Sequence, residues 1–108
     1  MTPSQFFHDI TRNTTRRAGM LLNFIDSVCR DADLDTITDR EATISISGTV
    51  DVRFCCGSKI IKECVAMYRL KGWKDCTIRF NGKTFDNHDS EVYTYTFVLT
   101  ANKETLND

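Results

Sequence analysis

Hydrophobic residues recur at two different periods along this chain, and the change of period marks its elements. From Thr2 to residue 31, Phe7, Ile10, Thr14, Leu21, Ile25 and Val28 fall at spacings that a helix gathers on one side. Thr2 is a candidate N-cap, Pro3 suits the first helical position, and Gln5 stands three residues after Thr2, as a capping box requires. Between Thr11 and Arg17, asparagine and threonine are weak helix formers, so a break there stays open and Ala18–Cys29 is the firmest part. Residues 31–41 read as a polar connector.

From Ala42 the period becomes two. Ile44, Ile46, Val50, Val52 and Phe54 share one parity, with Gly48 among them, and Thr43, Ser45, Ser47, Thr49, Asp51 and Arg53 share the other. That is a half-buried strand, either continuous or folded into a hairpin through a three-residue turn at Gly48. Gly57-Ser58 then opens a second helix, with Ser58 as its expected N-cap. Ile60, Ile61, Cys64, Val65, Met67 and Tyr68 form its apolar arc, and Gly72 is its expected left-handed stop, with Trp73 closing onto Tyr68. Cys76, Ile78 and Phe80 alternate as a strand, and Asn81-Gly82 predicts a two-residue hairpin turn that sets Ile78 opposite Phe85. A loop over residues 86–91 leads to a last strand, Val92–Thr100, and residues 102–108 read as a frayed polar tail.

The predicted fold is α+β, one domain over residues 1–108. Two helices pack on one face of a mainly antiparallel sheet of three to five strands, in the order α-β(β)-α-β-β-β. In the last strand, Tyr93, Tyr95, Phe97 and Leu99 oppose Val92, Thr94, Thr96 and Val98. The bulkier set is expected to face the helices, because it removes more apolar area from water. The outer face is then a serine and threonine field carrying Arg53 and Arg79. The opposite parity would expose Tyr93 and Tyr95 as a stacking platform for single-stranded nucleic acid.

Bulk composition narrows the classes. The chain has 108 residues, 41% of them hydrophobic, and 14 Lys+Arg balance 15 Asp+Glu. That content supports one folded core, and the balance argues against a strongly basic nucleic-acid binder. The five cysteines, an odd number, point to free thiols and a cytoplasmic, reducing compartment. Pro3, His8, Asp9 and Arg12 interrupt any leader-like apolar run, and no membrane association is expected.

No convergent chemistry stands out. Asp31, Asp33 and Asp35 open like a calcium loop, but Thr36 and Ala42 occupy the glycine and glutamate positions. Cys55-Cys56 before a helix start is a conceivable nucleophile, yet the segment has neither a P-loop nor a phosphatase-loop spacing. His8 and His88 are isolated, and zinc-type ligand pairs are missing. No catalytic residue, metal or cofactor is therefore assigned.

The expectation is a non-catalytic protein-binding or inhibitory module acting by steric occlusion, with Arg69, Leu70, Trp73, Arg53 and Arg79 as its contact residues. Small bacteriophage accessory proteins that inhibit host machinery share this size and composition. A homodimer through an edge strand is a further expectation. The alternatives are a nucleic-acid binder using Tyr93 and Tyr95, and a small cysteine-dependent enzyme.

Overall fold

The computed structural model describes residues 1–107. A long helix, α1 (Pro3–Arg30), leads through a short 3-10 turn (Leu34–Thr36) into strand β1 (Ile37–Asp39). There follow β2 (Thr43–Val52), α2 (Ser58–Leu70), β3 (Asp75–Phe85), β4 (Glu91–Asn102) and a 3-10 turn (Lys103–Asn107). The four strands form one antiparallel sheet in the order β1-β2-β4-β3, with both helices on one of its faces. The molecule measures 53 × 38 × 18 Å, so one sheet face has no layer over it.

Local chemistry accounts for most element ends. The Gln5 N–H donates to Thr2 Oγ1 at 3.2 Å, with Pro3 in the first turn, as capping predicts. α1 does not break at its weak stretch. Thr11 and Thr14 turn their hydroxyls back onto the carbonyls of Phe7 and Ile10, at 2.9 and 3.0 Å, and the helix runs on. At the end of α2, the Gly72 N–H donates to Arg69 O and the Trp73 N–H to Tyr68 O. Gly72 has φ +104, which completes a Schellman closure, and the Trp73 ring stands edge-on to Tyr68 at 6.5 Å. The cap of α2 lies one residue earlier than expected, at Gly57, without a side-chain acceptor.

Three expectations are corrected. The connector 31–41 is not structureless: Ile37–Asp39 pairs with Ile44–Ile46 as an edge strand. Its β-branched pair, Ile37-Thr38, suits a pleat, and tertiary pairing outweighs the polar neighbours. Asn81-Gly82 is not a hairpin turn. β3 passes through it with a bulge between Phe80 and Gly82, Gly82 taking φ +138, so Ile78 pairs with Phe97 and not with Phe85. The chain turns instead at residues 86–90, where the Asp86 carboxylate accepts the N–H groups of His88 (2.8 Å) and Ser90 (2.9 Å). The expected frayed tail is partly structured: Asn102 belongs to β4, and Thr105 donates to its carbonyl at 2.6 Å. Asp108, the last residue of that tail, lies outside the described residues.

β2 is one continuous strand, and Gly48 lies in its middle opposite Phe97. The core lies between the sheet and the helices. Ala18, Leu21, Leu22 and Ile25 of α1 and Ile60, Cys64 and Tyr68 of α2 pack on Val50, Val52, Cys76, Ile78, Tyr95, Phe97 and Leu99. The Tyr68 hydroxyl is buried and shares its single hydrogen between Leu22 O at 3.0 Å and Asp26 Oδ1 at 2.8 Å, tying α2 to α1. The bulky parity of β4 faces the helices: Tyr95, Phe97 and Leu99 are each 1% exposed.

Candidate interaction surface

The direction of the helices decides what is left uncovered. Val28 lies over Gly48 and Phe97, whereas Arg17 lies near Cys56, beyond the end of β2. α1 therefore points its N-terminal half toward the end where β2 finishes, at Val52 opposite Tyr93. Past that row, β3 and β4 continue alone to Phe85 opposite Glu91. Two arms thus leave the core at the same end: the first half of α1, and the β3–β4 hairpin tip.

The bulge gives the hairpin arm its surface. Phe80 precedes it on the helix-facing side, with its ring 5.5 Å from Tyr95 and 6.5 Å from Tyr93. One extra residue restores that side to Lys83 and Phe85, which pair with Tyr93 and Glu91. Lys83 Nζ stands 5.5 Å from the Phe85 ring centre and 5.9 Å from that of Tyr93, and ion-pairs with Glu91 at 2.9 Å. The Tyr93 hydroxyl donates to Glu91 at 2.6 Å. These contacts raise the Lys83 pKa and lower that of Glu91, each through the hydrogen bond it makes to a charged or polar partner. Yet Phe80 is 57% and Phe85 62% exposed. On the α1 arm, Phe6, Phe7 and Ile10 are also exposed, although Phe7 and Ile10 continue the stripe that is buried from Ala18 onward. A shallow groove lies between Phe7, Ile10 and Thr14 of α1 and Lys59, Lys62 and Glu63 of α2.

The residues singled out from the sequence do not converge. Arg69 and Leu70 stand exposed at the end of α2, Arg69 reaching Asp75 at 3.4 Å. Trp73 is half-buried against Tyr68 and serves the helix closure. Arg53 ion-pairs with Asp86 at the hairpin turn. Arg79 stands on the open sheet face between Thr77, Thr96 and Val98. Tyr93 is half-buried beside Lys83, whereas Tyr95 is in the core. The Tyr95 hydroxyl accepts the Cys56 N–H at 2.8 Å and donates to the Cys56 carbonyl at 3.2 Å. Tyr95 is therefore not available to stack on a base.

Cys56 has the wrong electrostatics for a nucleophile. Burial pushes the Cys56 thiol up to about 11, the reverse of activation at a helix start. Cys64 and Cys76 are buried as well, and desolvation raises them to about 12 and about 11. In the 86–91 loop, Asp86 is committed to Arg53 and two backbone amides, which hold its carboxyl down at about 2. Among the described residues no group of three or more His, Cys, Asp or Glu side chains is placed to hold a metal ion. No helix among them is long and apolar enough to cross a membrane.

Phe80, Lys83 and Phe85 are not among the sequence candidates, because Asn81-Gly82 reads as a hairpin turn, in which they pair among themselves and with Ile78 rather than lie beside Tyr93 and Glu91 of β4. The visible signal was the Phe-x4-Phe spacing around that glycine, which a bulge keeps on one face. Fold and surface together define a two-layer α+β protein whose β3–β4 hairpin carries exposed aromatic side chains. The chain matches no protein family, no curated protein and no solved structure.

Proposed function

We propose that this chain is a non-catalytic protein-binding module, which recognises its partner through the aromatic face of the β3–β4 arm and acts by occluding the partner's surface. The observation that carries this reading is the contiguous set Phe80, Lys83 and Phe85, exposed beside half-buried Tyr93. Exposed apolar patches rimmed by polar groups mark interaction sites in soluble proteins, and aromatic residues with a neighbouring cation dominate interface energetics. The phage-type inhibitor of host machinery remains the biological role that fits the size and neutral charge best.

Single-stranded nucleic acid is the weaker fit. Residues 80–93 carry Asp86, Asp89 and Glu91 against Lys83, with Arg53 paired to Asp86, and the arm that stays net negative repels phosphate. The contact residues favoured here are therefore Phe80, Lys83, Phe85 and Tyr93, with Arg69 and Leu70 on the far end of α2 as a comparison surface. The test is capture from a host lysate by immobilised wild type, Phe85→Glu and Leu70→Glu. A protein retained by wild type and Leu70→Glu but lost by Phe85→Glu supports the reading. Equal capture by all three, or none by wild type, refutes it.

A further inference from the structure

The two arms that leave the core at one end are complementary to each other in both polarity and charge. We infer that a second copy of this chain occupies the aromatic arm, in a two-fold dimer where α1 of each protomer lies on the β3–β4 hairpin of the other. This deepens the protein-binding reading and rests on it.

Apolar area is the first argument. Phe6, Phe7 and Ile10 on one arm are 46%, 66% and 44% exposed, and Phe80 and Phe85 on the other are 57% and 62% exposed. With a phenylalanine contributing ~200 Å² at full exposure, these five side chains leave on the order of 500 Å² wet per copy. A symmetric pair then has about 1,000 Å² of apolar surface to bury, before any polar rim, which reaches the size expected of a biological interface.

Charge is the second argument. Residues 1–17 carry Arg12, Arg16 and Arg17 against Asp9, a side-chain balance of +2. Residues 80–93 carry Lys83 against Asp86, Asp89 and Glu91, and with Arg53 paired to Asp86 the hairpin end holds a balance of −1. Arg17 follows Ile10 by seven residues and so lies on the same flank of α1, beside the apolar stripe. Opposite signs on the two arms favour helix against hairpin over helix against helix or hairpin against hairpin. A two-fold axis makes the contact twice, because each protomer supplies one arm of each kind. The edge strand β3 carries a bulge midway, which makes edge-to-edge pairing the poorer route to a dimer.

Sedimentation velocity on the full chain from 1 to 100 µM tests this. Wild type is expected to reach twice the chain mass within that range. Phe7→Glu and Phe85→Glu alter exposed side chains and should each weaken self-association at least tenfold while circular dichroism and melting temperature stay unchanged. Mixing the two variants has a distinctive outcome. A heterodimer of Phe7→Glu with Phe85→Glu keeps one of its two contacts intact, so the mixture should associate more strongly than either variant alone. Wild type that stays monomeric at 100 µM overturns the dimer. So does a dimer indifferent to Phe7→Glu, or one that mixing fails to restore. A monomeric wild type that still captures a host protein through Phe85 refutes self-association alone and leaves the protein-binding reading standing.

Discussion

Gly48 holds its place because of what lies above it. Its backbone needs no left-handed conformation, unlike Gly72 and Gly82. A Cβ built there would stand 3.1 and 3.3 Å from two ring carbons of Phe97 and 3.4 Å from Val28 Cγ1. Phe97 is 1% exposed, and α1 presses on it from above, so the ring must shift by a few tenths of an ångström within a packed layer. Overpacking of this kind costs ~1–3 kcal/mol. Replacing glycine in a strand recovers ~0.4–1 kcal/mol by restricting the unfolded chain. The net expectation for Gly48→Ala is a loss of about 1–2 kcal/mol, taking overpacking as the larger effect. For a domain of this size that lowers the melting temperature by roughly 5–15 °C. Gly48→Val should cost more, and Phe97→Leu combined with Gly48→Ala should lose less than the two single effects added, since the smaller side chain makes room. Thermal melts and urea titrations of wild type, the three single variants and the double variant measure this. A Gly48→Ala protein that melts at or above the wild-type temperature would refute the close approach of α1 to the middle of β2.

Three further outcomes follow from the core and the hairpin turn. Tyr68→Phe removes a buried hydroxyl that serves Leu22 O and Asp26, and should destabilise by about 1–3 kcal/mol in urea unfolding. No change would mean that the hydroxyl does not tie the helices together. Asp86 has its carboxyl depressed to about 2 by Arg53 and by the Ser90 and His88 amides. Its folded pKa lies below the unfolded one, so its contribution is present above the unfolded pKa of about 4 and lost as pH falls toward 2. The wild-type urea midpoint should therefore fall from pH 5 to pH 2.5 by more than that of Asp86→Asn, and parallel curves would contradict the assignment. With the thiol reagent DTNB at pH 8, exposed Cys55 should react first, half-buried Cys29 more slowly, and Cys56, Cys64 and Cys76 only on unfolding. Fast reaction of Cys56 or Cys64 in the folded protein would show that the core opens at this end.

Sequence alone determined the features that depend on neighbours a few residues apart. The Thr2 cap with Pro3, the Gly72 stop with Trp73 behind it and the period-two runs of β2 and β4 are all legible, because capping, helix closure and pleating are local. Burial of Tyr95, Phe97 and Leu99 was legible as well, since the bulkier side of a one-sided sheet goes inward. What the fold alone decided depends on contacts between distant segments. The pair Asn81-Gly82 has the same local chemistry in a turn and in a bulge, and only the continuing ladder to β4 selects the bulge. Ile37–Asp39 becomes a strand because the edge of β2 is free to take it. The aromatic arm depends on the first of these: its side chains share one face because of the bulge, a matter of how distant strands pair rather than of any residue's own preference.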